Sequence, residues 1–304
     1  MEQTIPLGYG SLDGGRVHTY ALIDRLREQA PITLVCCAFD VPTSCFYDYL
    51  ARRRAINRER IQQRSELRRL FKESRSSAGS RALMSMSREL GYQIGRFKVR
   101  YLRKEAGLVS KQPGHTAIRW HSLNDRTFPI CWPANLMSSN PIRCGDITYV
   151  WAGGRWHYLA ALLDLYTRRV VGWAMSDKPD AELAIKALEM AYQQRGCPSG
   201  VLFHSDQGCQ YGSRAFRQRL WRYRMTQSMS RRGNCWDNAP MERLFRSLKS
   251  EWLPAMGYMS LREAKRDISY YLMDYYNWRR PHCHNDGIPP AKAEERPNQV
   301  SGFS

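Results

Sequence analysis

The sequence has no hydrophobic run of about 18 residues, the minimum expected of a membrane-spanning helix, and no signal-peptide pattern. It is also poor in acidic residues: 28 Asp and Glu stand against 47 Lys and Arg, a formal net charge of +19 over 304 residues. The first absence gives no support for a membrane or secreted protein. The second indicates a polyanionic partner, most commonly nucleic acid, although a basic surface that serves only solubility is the alternative.

Paired cysteines are missing as well. The nine cysteines are an odd number and include no CxxC motif, so they predict reduced thiols in a cytoplasmic protein rather than a disulfide framework. His115 and His121 are followed by Cys131 but by no cysteine pair, which argues against a structural zinc site. The His-Cys-His run at 282–284 places its potential ligands side by side, and adjacent residues rarely complete one tetrahedral site.

Two acidic residues lie where a strand and a helix would present them. The apolar, β-prone run 201–203 leads to Asp206 and then to glycine, which predicts a carboxylate at the tip of a buried strand. Glu242 follows with 35 residues in between. Asn238 and Pro240 suit the N-cap and first turn of a helix, so Glu242 is predicted to lie in that first turn. Both positions would allow a carboxylate to reach a metal ion or a substrate.

The helix predicted after Asn238 carries an apolar stripe and a charged edge. The stripe has the spacing of a buried helix face and consists of Met241, Leu244, Phe245, Leu248 and Trp252. Glu242, Arg246 and Lys249 share a neighbouring face, and one acid beside two cations suits a site that holds a metal ion and a polyanion together. Glu251 is nine positions from Glu242, about half a turn out of phase, and is predicted to face elsewhere.

A third carboxylate, Asp146, lies in the strand-like segment IRCGDITYVW. Asp146, Asp206 and Glu242, with Lys249 seven positions after the glutamate, resemble the DDE triad of retroviral-integrase-like transposases. The chain is closer still to the IS-three family of bacterial insertion-sequence transposases, specifically the second-reading-frame product. The similar segments are GDITYV, LLDLYTRRVVGW, HSDQGCQY, NCWDNAPMERLFRSLKSEW and YYNWRRPH. The resemblance extends from about position 16 to the C-terminus and is densest from Asp146 onwards.

The hydrophobic pattern and the resemblance point to an α/β catalytic core of the ribonuclease-H-like class, with three antiparallel strands, two parallel strands and flanking helices. The predicted elements are strands 142–152, 156–166 and 169–175, helix 181–194, strand 201–205, helix 213–223 and strand 225–229. After the Glu242 helix, one long helix is predicted over 260–278 and a shorter one over 291–295.

The N-terminal half is predicted to be all-α. Helices over 17–29, 32–39 and 43–53, the last starting at Thr43, predict a helix-turn-helix, with an ordinary three-helix bundle as the alternative. The predicted domains are a flexible lead-in 1–15, a helix-turn-helix 16–54, a second helix-turn-helix-like helical domain 55–110, a linker 111–140, the DDE catalytic domain 141–255, and a helical C-terminal extension and tail 256–304.

The resemblance implies a magnesium-dependent polynucleotidyl transferase with two Mg²⁺ ions per active site, for which Mn²⁺ would substitute. Magnesium prefers oxygen ligands, and paired ions suit phosphoryl transfer. Asp146 and Asp206 are expected to bridge the ions or ligate one directly, and Glu242 to hold the second ion. Asp164 is the competing acid: a hairpin centred on Gly154 would make it a diagonal neighbour of Asp146. Its alternative is a structural role with Arg168 or Arg169.

Expected DNA contacts come from the catalytic domain and from the helical half. They are Lys249, Arg246, Arg243, His204, Arg231, Arg232, Arg96, Lys98, Arg100, Arg103, Thr43 and Ser44. For His204 a buried structural role is equally open, and the basic helix 96–104 has a solvated charged face as its alternative.

The resemblance therefore implies 3′-end cleavage of an insertion sequence and strand transfer, carried out by a homo-oligomer on paired terminal inverted repeats and target DNA. It further implies a first-reading-frame product, or a frameshift fusion with it, as a partner, and a nucleoid-associated cytoplasmic location in bacteria. Two alternatives remain: a non-catalytic DNA-binding regulator of transposition, and a ribonuclease-H-like nuclease or resolvase that cleaves without joining.

Overall fold

The computed structural model describes residues 16–54, 58–111, 142–230 and 238–296, which fall into two compact units divided after Gln62. Positions 112–140 of the predicted linker and the basic loop at Arg231 and Arg232 lie outside the described residues. The N-terminal helices are α1 Arg16–Leu26, α2 Ile32–Ala38, α3 Thr43–Arg54, α4 Arg58–Glu73, α5 Ser80–Glu89 and α6 Arg96–Glu105.

The C-terminal half has the predicted alternation of strands and helices. Its elements are β1 Ile142–Ala152, β2 Arg155–Asp164, β3 Val170–Ser176, α7 Ala181–Gln194, β4 Leu202–Ser205, α8 Cys209–Gly212, α9 Arg214–Arg222, β5 Thr226–Met229, α10 Ala239–Ser247, α11 Leu261–Ser269 and α12 Pro290–Glu295. The long helix predicted over 260–278 is only partly α-helical, because α11 passes into a π-helical segment over Tyr270–Arg279. In the same way α10 continues as a π-helical turn over Leu248–Trp252.

The five strands form one sheet in the order β3-β2-β1-β4-β5. β1, β2 and β3 pair antiparallel, whereas β4 is parallel to both β1 and β5. The two-residue turn at Gly153 and Gly154 explains the first hairpin, since both glycines have positive φ. This mixed sheet with helices on both faces confirms the predicted ribonuclease-H-like fold.

The two faces of the sheet bury separate apolar clusters. On one face, strand residues such as Leu159 and Leu163 pack with Leu244 of α10 and Ile268 of α11. On the other, the cluster joins the sheet to α7 and α9 through residues that include Leu162, Ala187, Phe203 and Phe216. The apolar stripe predicted for the Glu242 helix is buried in the first cluster, so α10 is fixed against β1 and β2.

Gly172 in β3 marks the closest approach of α7 to the sheet. A Cβ at this position would collide with the Ala187 carbonyl oxygen and would lie 2.8 Å from both the nitrogen and the Cβ of Ala191. Because backbone atoms of a packed helix cannot yield as a flexible side chain does, Gly172→Ala should destabilise the protein by about 1–3 kcal/mol.

Urea unfolding measures this loss of unfolding free energy. Gly154→Ala is a poor control because its φ is 76°, whereas Gly79→Ala adds a methyl group in open space and should lower stability little or not at all.

Helices α1–α3 form their own small cluster around Ile23, Val35, Phe46 and Leu50. Thr43 is partly buried and Ser44 exposed at the start of α3. Three short helices around one core fit a helix-turn-helix and a plain bundle equally, so the DNA-binding interpretation of this unit stays a prediction.

Helices α5 and α6, with the part of α4 that follows Gln62, form a second helical module that is docked on the C-terminal helices. Arg75 is held at its exit from α4: its guanidinium makes two hydrogen bonds to Asp267, at 3.0 and 2.5 Å, and a third to the Trp252 carbonyl oxygen. The same guanidinium lies 3.9 Å from the Trp252 ring centre. Glu73 pairs with Arg279 nearby. The module is therefore anchored to the C-terminal helices by charged contacts on both sides of the end of α4.

The hairpin register differs by one residue from the predicted one. Asp146 faces Ala161, and Asp164 faces Arg143 at the far end of the ladder. A shift of one residue reverses which face of the sheet a side chain occupies, so Asp164 is not the predicted same-face neighbour of Asp146. Its carboxylate instead accepts hydrogen bonds from the backbone of the following turn and pairs with Arg195 at 3.3 Å, and its charge also opposes the lowering of the Arg168 pKa by burial.

Among the described helices, none combines the length and the apolar composition that crossing a membrane requires.

Candidate active site

The candidate site opens where β1 and β4 separate. The two strands pair in parallel as far as Gly145 opposite Ser205, and the next residue on each strand is an aspartate, Asp146 and Asp206. Both lie at the carboxyl end of their paired segment and line one cleft of about 230 Å³. Two acids distant in sequence are therefore brought side by side by the strand register itself.

The cleft's other walls come from three elements. It is lined by Ile147, Thr148 and Tyr149 of β1, Tyr158 of β2, Pro179 before α7, and Gln210 and Tyr211 of α8. Tyr211 is buried, and burial raises the pKa of its hydroxyl well above the usual value, with the Asp146 and Asp206 carboxylates adding to the effect. Tyr211 therefore stays neutral and adds no charge next to the two acids.

Asp206 occupies a tight turn after β4. Its Oδ1 accepts a hydrogen bond from the Gly208 N–H at 3.0 Å, and a Cβ at Gly208 would lie 3.0 Å from that same oxygen. The glycine that follows the HSD motif thus permits the turn that aims the carboxylate into the cleft.

The electrostatics of Asp146 connect all three predicted acids. The pKa of its carboxyl is raised to about 7, chiefly by burial and further by the Asp206 and Glu242 carboxylates. A hydrogen bond from the Ile147 N–H at 2.7 Å and one from the Asn238 side chain oppose the shift. Glu242, exposed in the first turn of α10, is therefore close enough to Asp146 for their charges to repel.

Asn238 is a site residue that the sequence indicated only as a helix cap. It does precede α10, but its side chain does not cap the helix. Its amide instead bonds Asp146, and its carbonyl oxygen accepts a bond from the Cys144 thiol at 2.9 Å. Asn238 thus ties the helix that carries Glu242 to the strand that carries Asp146. The signal was present, since Asn238 lies four residues before Glu242 in one of the family-like segments.

Asp146 and Asp206 line the cleft, whereas Glu242 acts on the Asp146 charge from α10, and the three carboxylates are not at metal-bonding distance. Within the part of the chain that the structure describes, no group of three or more His, Cys, Asp or Glu side chains is close enough together to hold a metal ion as placed. Charge repulsion acts over longer distances than a metal–oxygen bond, so this agrees with the coupling at Asp146. A half-buried carboxyl crowded by two others, with oxygen atoms as the donors, fits a hard divalent cation in chemical character.

Lys249 interacts electrostatically with Asp146. Burial lowers the pKa of its ammonium group and the Asp146 carboxylate opposes that shift. Its Nζ lies 3.8 Å from the centre of the Tyr149 ring. Arg243 and Arg246 are exposed on the same helical segment. This arrangement agrees with the predicted face of one acid and neighbouring cations, while their contact with DNA stays a prediction.

The remaining predicted DNA contacts fall into three groups. His204 is buried at 2 % exposure, with its ring nitrogens 3.1 Å from the hydroxyls of Ser228 and Ser230, which favours the structural one of its two interpretations. Arg103 hydrogen bonds Ser80, Ser110 and the Leu108 carbonyl oxygen within its own module. On α6, Arg96, Lys98 and Arg100 are exposed, as the prediction of DNA contacts requires.

Glu251 lies away from the cleft, as its phase on the helix predicts. It makes a two-pronged ion pair with Arg280 at 2.7 and 2.8 Å, and Arg280 also bonds the Ser247 hydroxyl. Asn277 is fully buried and hydrogen bonds both the N–H and the carbonyl of Val170. The YYNWRRPH segment therefore fastens the C-terminal helices to β3 and α10, a structural role that the sequence pattern alone did not reveal.

Comparison with known protein families identifies the class of protein to which this chain belongs. Two models described as integrase core domains match residues 138–235 and 223–290. Among solved structures, a simian T-cell lymphotropic virus intasome gives a TM-score of 0.41 at 19% identity over 53% of this chain and 56% of that one. The magnesium-bound HTLV-2 integrase catalytic core gives 0.37 at 18% identity over 51% and 95%. The class is that of the integrase-core proteins.

Curated relatives narrow the assignment. The chain is 31% identical to the transposase InsF for insertion sequence IS3A of Escherichia coli K12, over 91% of this chain and 98% of that protein. It is 31% identical to a protein of insertion element IS600 from Shigella sonnei, over 88% and 100%. It is 43% identical to the putative transposase InsO for IS911B of E. coli K12, over 47% and 73%. The chain belongs to the IS3 family of insertion-sequence transposases.

Proposed function

We propose that this DNA transposase cuts the 3′ end of its insertion sequence and joins the freed hydroxyl to another DNA strand, with Asp146, Asp206 and Glu242 as the metal-binding acids. The observation that carries the proposal is the parallel β1–β4 register, which sets Asp146 and Asp206 side by side in a cleft whose electrostatics include Glu242. The cofactor would be Mg²⁺, with Mn²⁺ as a substitute and two ions per site.

The metal, when bound, would neutralise phosphoryl charge and activate the attacking oxygen. The protein's own residues supply the remaining requirements. Asp146 and Asp206 provide oxygen ligands fixed by strand register, and Asn238 orients the Asp146 carboxylate through a hydrogen bond. Glu242 adds a third carboxylate from α10, and its exposure leaves it able to move towards the strands. Buried Tyr211 closes the floor of the cleft without adding charge.

Cations around the cleft would hold the DNA. Lys249, Arg246 and Arg243 are suited to phosphates next to the cut, because they share the helical segment that carries Glu242. The exposed cations of α6 would contact more distant phosphates, which position the duplex without reading its sequence. We further propose that the chain works in the bacterial cytoplasm on the nucleoid, as a homo-oligomer on paired terminal inverted repeats and target DNA. A first-reading-frame product or frameshift fusion is the expected additional partner.

The direct test uses the full chain with a labelled duplex that carries the terminal repeat of its own element. We expect Mg²⁺ to support both a nick at the 3′ end and a longer, joined product, and EDTA to remove both. Binding should weaken steeply as salt rises, since each phosphate contact displaces counterions. A duplex of equal length and scrambled sequence is the control.

Other outcomes of this nicking and joining assay would assign a different activity to the protein. Nicking without joining would place the chain among the ribonuclease-H-like nucleases, and tight specific binding with neither product would make it a regulator. A flat dependence of affinity on salt would argue against the proposed phosphate contacts. The comparison favours neither alternative, and InsF, which this chain matches over 98% of its length, is described as a transposase.

A further inference from the structure

An exposed aromatic surface occupies the β1–β2 hairpin beyond the candidate site. Trp151 pairs directly with Trp156 across the ladder, and Tyr149 is diagonal to Trp156, so all three rings share one face of the hairpin. The Tyr149 and Trp156 rings meet edge to face at 5.0 Å, and those of Trp151 and Trp156 at 4.9 Å. Their exposed fractions are 54%, 38% and 52%. We call Tyr149, Trp151 and Trp156 the hairpin aromatic surface.

Packing within the fold does not account for this exposure. On the same face of the sheet, the apolar cluster with α7 and α9 takes in Ile147, Tyr158 and Ala160 but none of the three rings. Trp151 is partly covered by Gly257, where a Cβ would lie 2.6 Å from the indole. Contiguous exposed apolar surface of this kind marks a place where another molecule binds.

The hairpin aromatic surface is continuous with the catalytic cleft. β1 loses its β4 partner after Gly145, so the following residues form an open edge, and Tyr149 lines the same cleft as Asp146 and Asp206. Lys249 reaches across this edge: its Nζ lies over the Tyr149 ring while the Asp146 carboxylate acts on its pKa. The Lys249 ammonium group is therefore adjacent to the Tyr149 ring, and that ring borders the cleft that holds Asp146 and Asp206.

Resting on the proposed function, we propose that the hairpin aromatic surface stacks the unpaired bases of the DNA strand whose phosphate reacts in the cleft. Asp146 is half-buried in the cleft that Tyr149 also lines, so a DNA strand that brings a phosphodiester to this carboxylate passes beside the rings. Stacking of its bases on the rings requires that the terminal base pairs separate. Bases released from their pairs expose π faces, and aromatic side chains beside a cation are the groups that hold such bases without regard to sequence.

A second copy of the chain is the other candidate occupant. Apolar rings alone would suit a protein–protein contact, but the cation over Tyr149 and the direct continuation into an acid-lined cleft favour a nucleotide. Lys249 would pair with a phosphate of the strand while its neighbours stack the bases. Self-association through these rings is accordingly one of the outcomes that the experiment separates.

The test measures base opening separately from chemistry. The full-length Asp206→Asn protein is mixed with a terminal-repeat duplex that carries 2-aminopurine at its last base pair, whose fluorescence reports unstacking and restacking. Trp156→Leu and Tyr149→Leu are introduced singly in this background and in the active protein. Trp156→Phe keeps a ring. Trp221→Leu, which removes an 80% exposed tryptophan on α9, is the matched control. Thermal unfolding confirms that each variant folds.

We expect Trp156→Leu to abolish the 2-aminopurine change and to slow cleavage of paired ends by about tenfold or more, given the strength of base–aromatic stacking. Cleavage of ends with mismatched terminal bases should be slowed much less, since these bases are already unpaired. Trp156→Phe should retain most of both signals, and Trp221→Leu all of them.

Three results would overturn the proposal: unchanged fluorescence and cleavage in Trp156→Leu, equal slowing on paired and mismatched ends, or loss of self-association in ultracentrifugation with an unchanged 2-aminopurine signal. Failure of the proposed function is distinguishable, because it would show as absent joining in the unsubstituted protein whatever the fluorescence does.

Discussion

Asp206→Asn and Glu242→Gln should each lower cleavage and joining by on the order of 10³-fold or more while leaving DNA binding intact. Each change removes one negative charge and one metal-binding oxygen at nearly constant shape, and a metal ion that neutralises phosphoryl charge contributes several kcal/mol to the transition state. Asp206 is held by the turn at Gly208, so its replacement removes a ligand of fixed position. The measurement is product formation from the labelled terminal duplex with Mg²⁺, beside a gel-shift titration of the same DNA.

The matched control is Glu182→Gln, which neutralises an exposed acid paired with Lys186 on α7 and should change neither activity nor binding appreciably. Retained joining in Asp206→Asn or in Glu242→Gln would remove that residue from the metal site. Loss of DNA binding alongside activity would mean that the substitution disturbs the fold or the DNA path rather than the chemistry.

Asp146→Asn should be inactive and, in EDTA, more stable than the unsubstituted protein. Burial and two neighbouring acids raise the pKa of Asp146 to about 7, so the ionised carboxylate is costly in the metal-free fold. The unfolded chain ionises this group near pH 4. The folded protein therefore binds more protons between these values, and the cost of Asp146 grows as pH rises from about 4 to 7. Asparagine carries no such charge.

The expected gain in unfolding free energy is about 1–3 kcal/mol at pH 8, shrinking as pH falls through 7 towards 4. Urea unfolding in EDTA at pH 5 and pH 8 measures it. Adding Mg²⁺ should stabilise the unsubstituted protein by mass action and Asp146→Asn much less, which tests metal binding without any DNA. A variant that is destabilised at pH 8, or equally stabilised by Mg²⁺, would contradict the role assigned to this carboxylate.

Much of the fold was predictable because its elements carry strong local signals. The strand 142–152 and the helix 181–194 have the predicted bounds, since alternation and helical periodicity are written in neighbouring residues. The π-helical end of the 270–279 segment was not predictable. Its aromatic side chains fill a common core with Trp252, and that packing depends on a partner far away in the sequence.

The site was predictable in its residues but not in its geometry. The family-like motifs named Asp146, Asp206 and Glu242; the structure places the two aspartates in one cleft and couples Glu242 to Asp146 electrostatically, while their role as a metal site stays a proposal. Asp164 shows the limit: a turn centre misplaced by half a residue put Leu162 instead of Ala161 opposite Asp146, and so assigned Asp164 to the wrong face of the sheet. The structural role of His204 was likewise unpredictable, because its contacts with Ser228 and Ser230 cannot be inferred from the residues adjacent to it in sequence.

The sequence by itself determined the class of fold, the positions of the three acids and the basic character that suits DNA, because periodicity, motif spacing and charge are local or additive properties. Only the tertiary structure decided that β1 leaves β4 after Gly145, that Asn238 joins α10 to Asp146, and that three aromatic rings stand exposed beside the cleft. These three features depend on strand register and on which elements pack over each face of the sheet, and both are fixed only when segments distant in sequence come into contact.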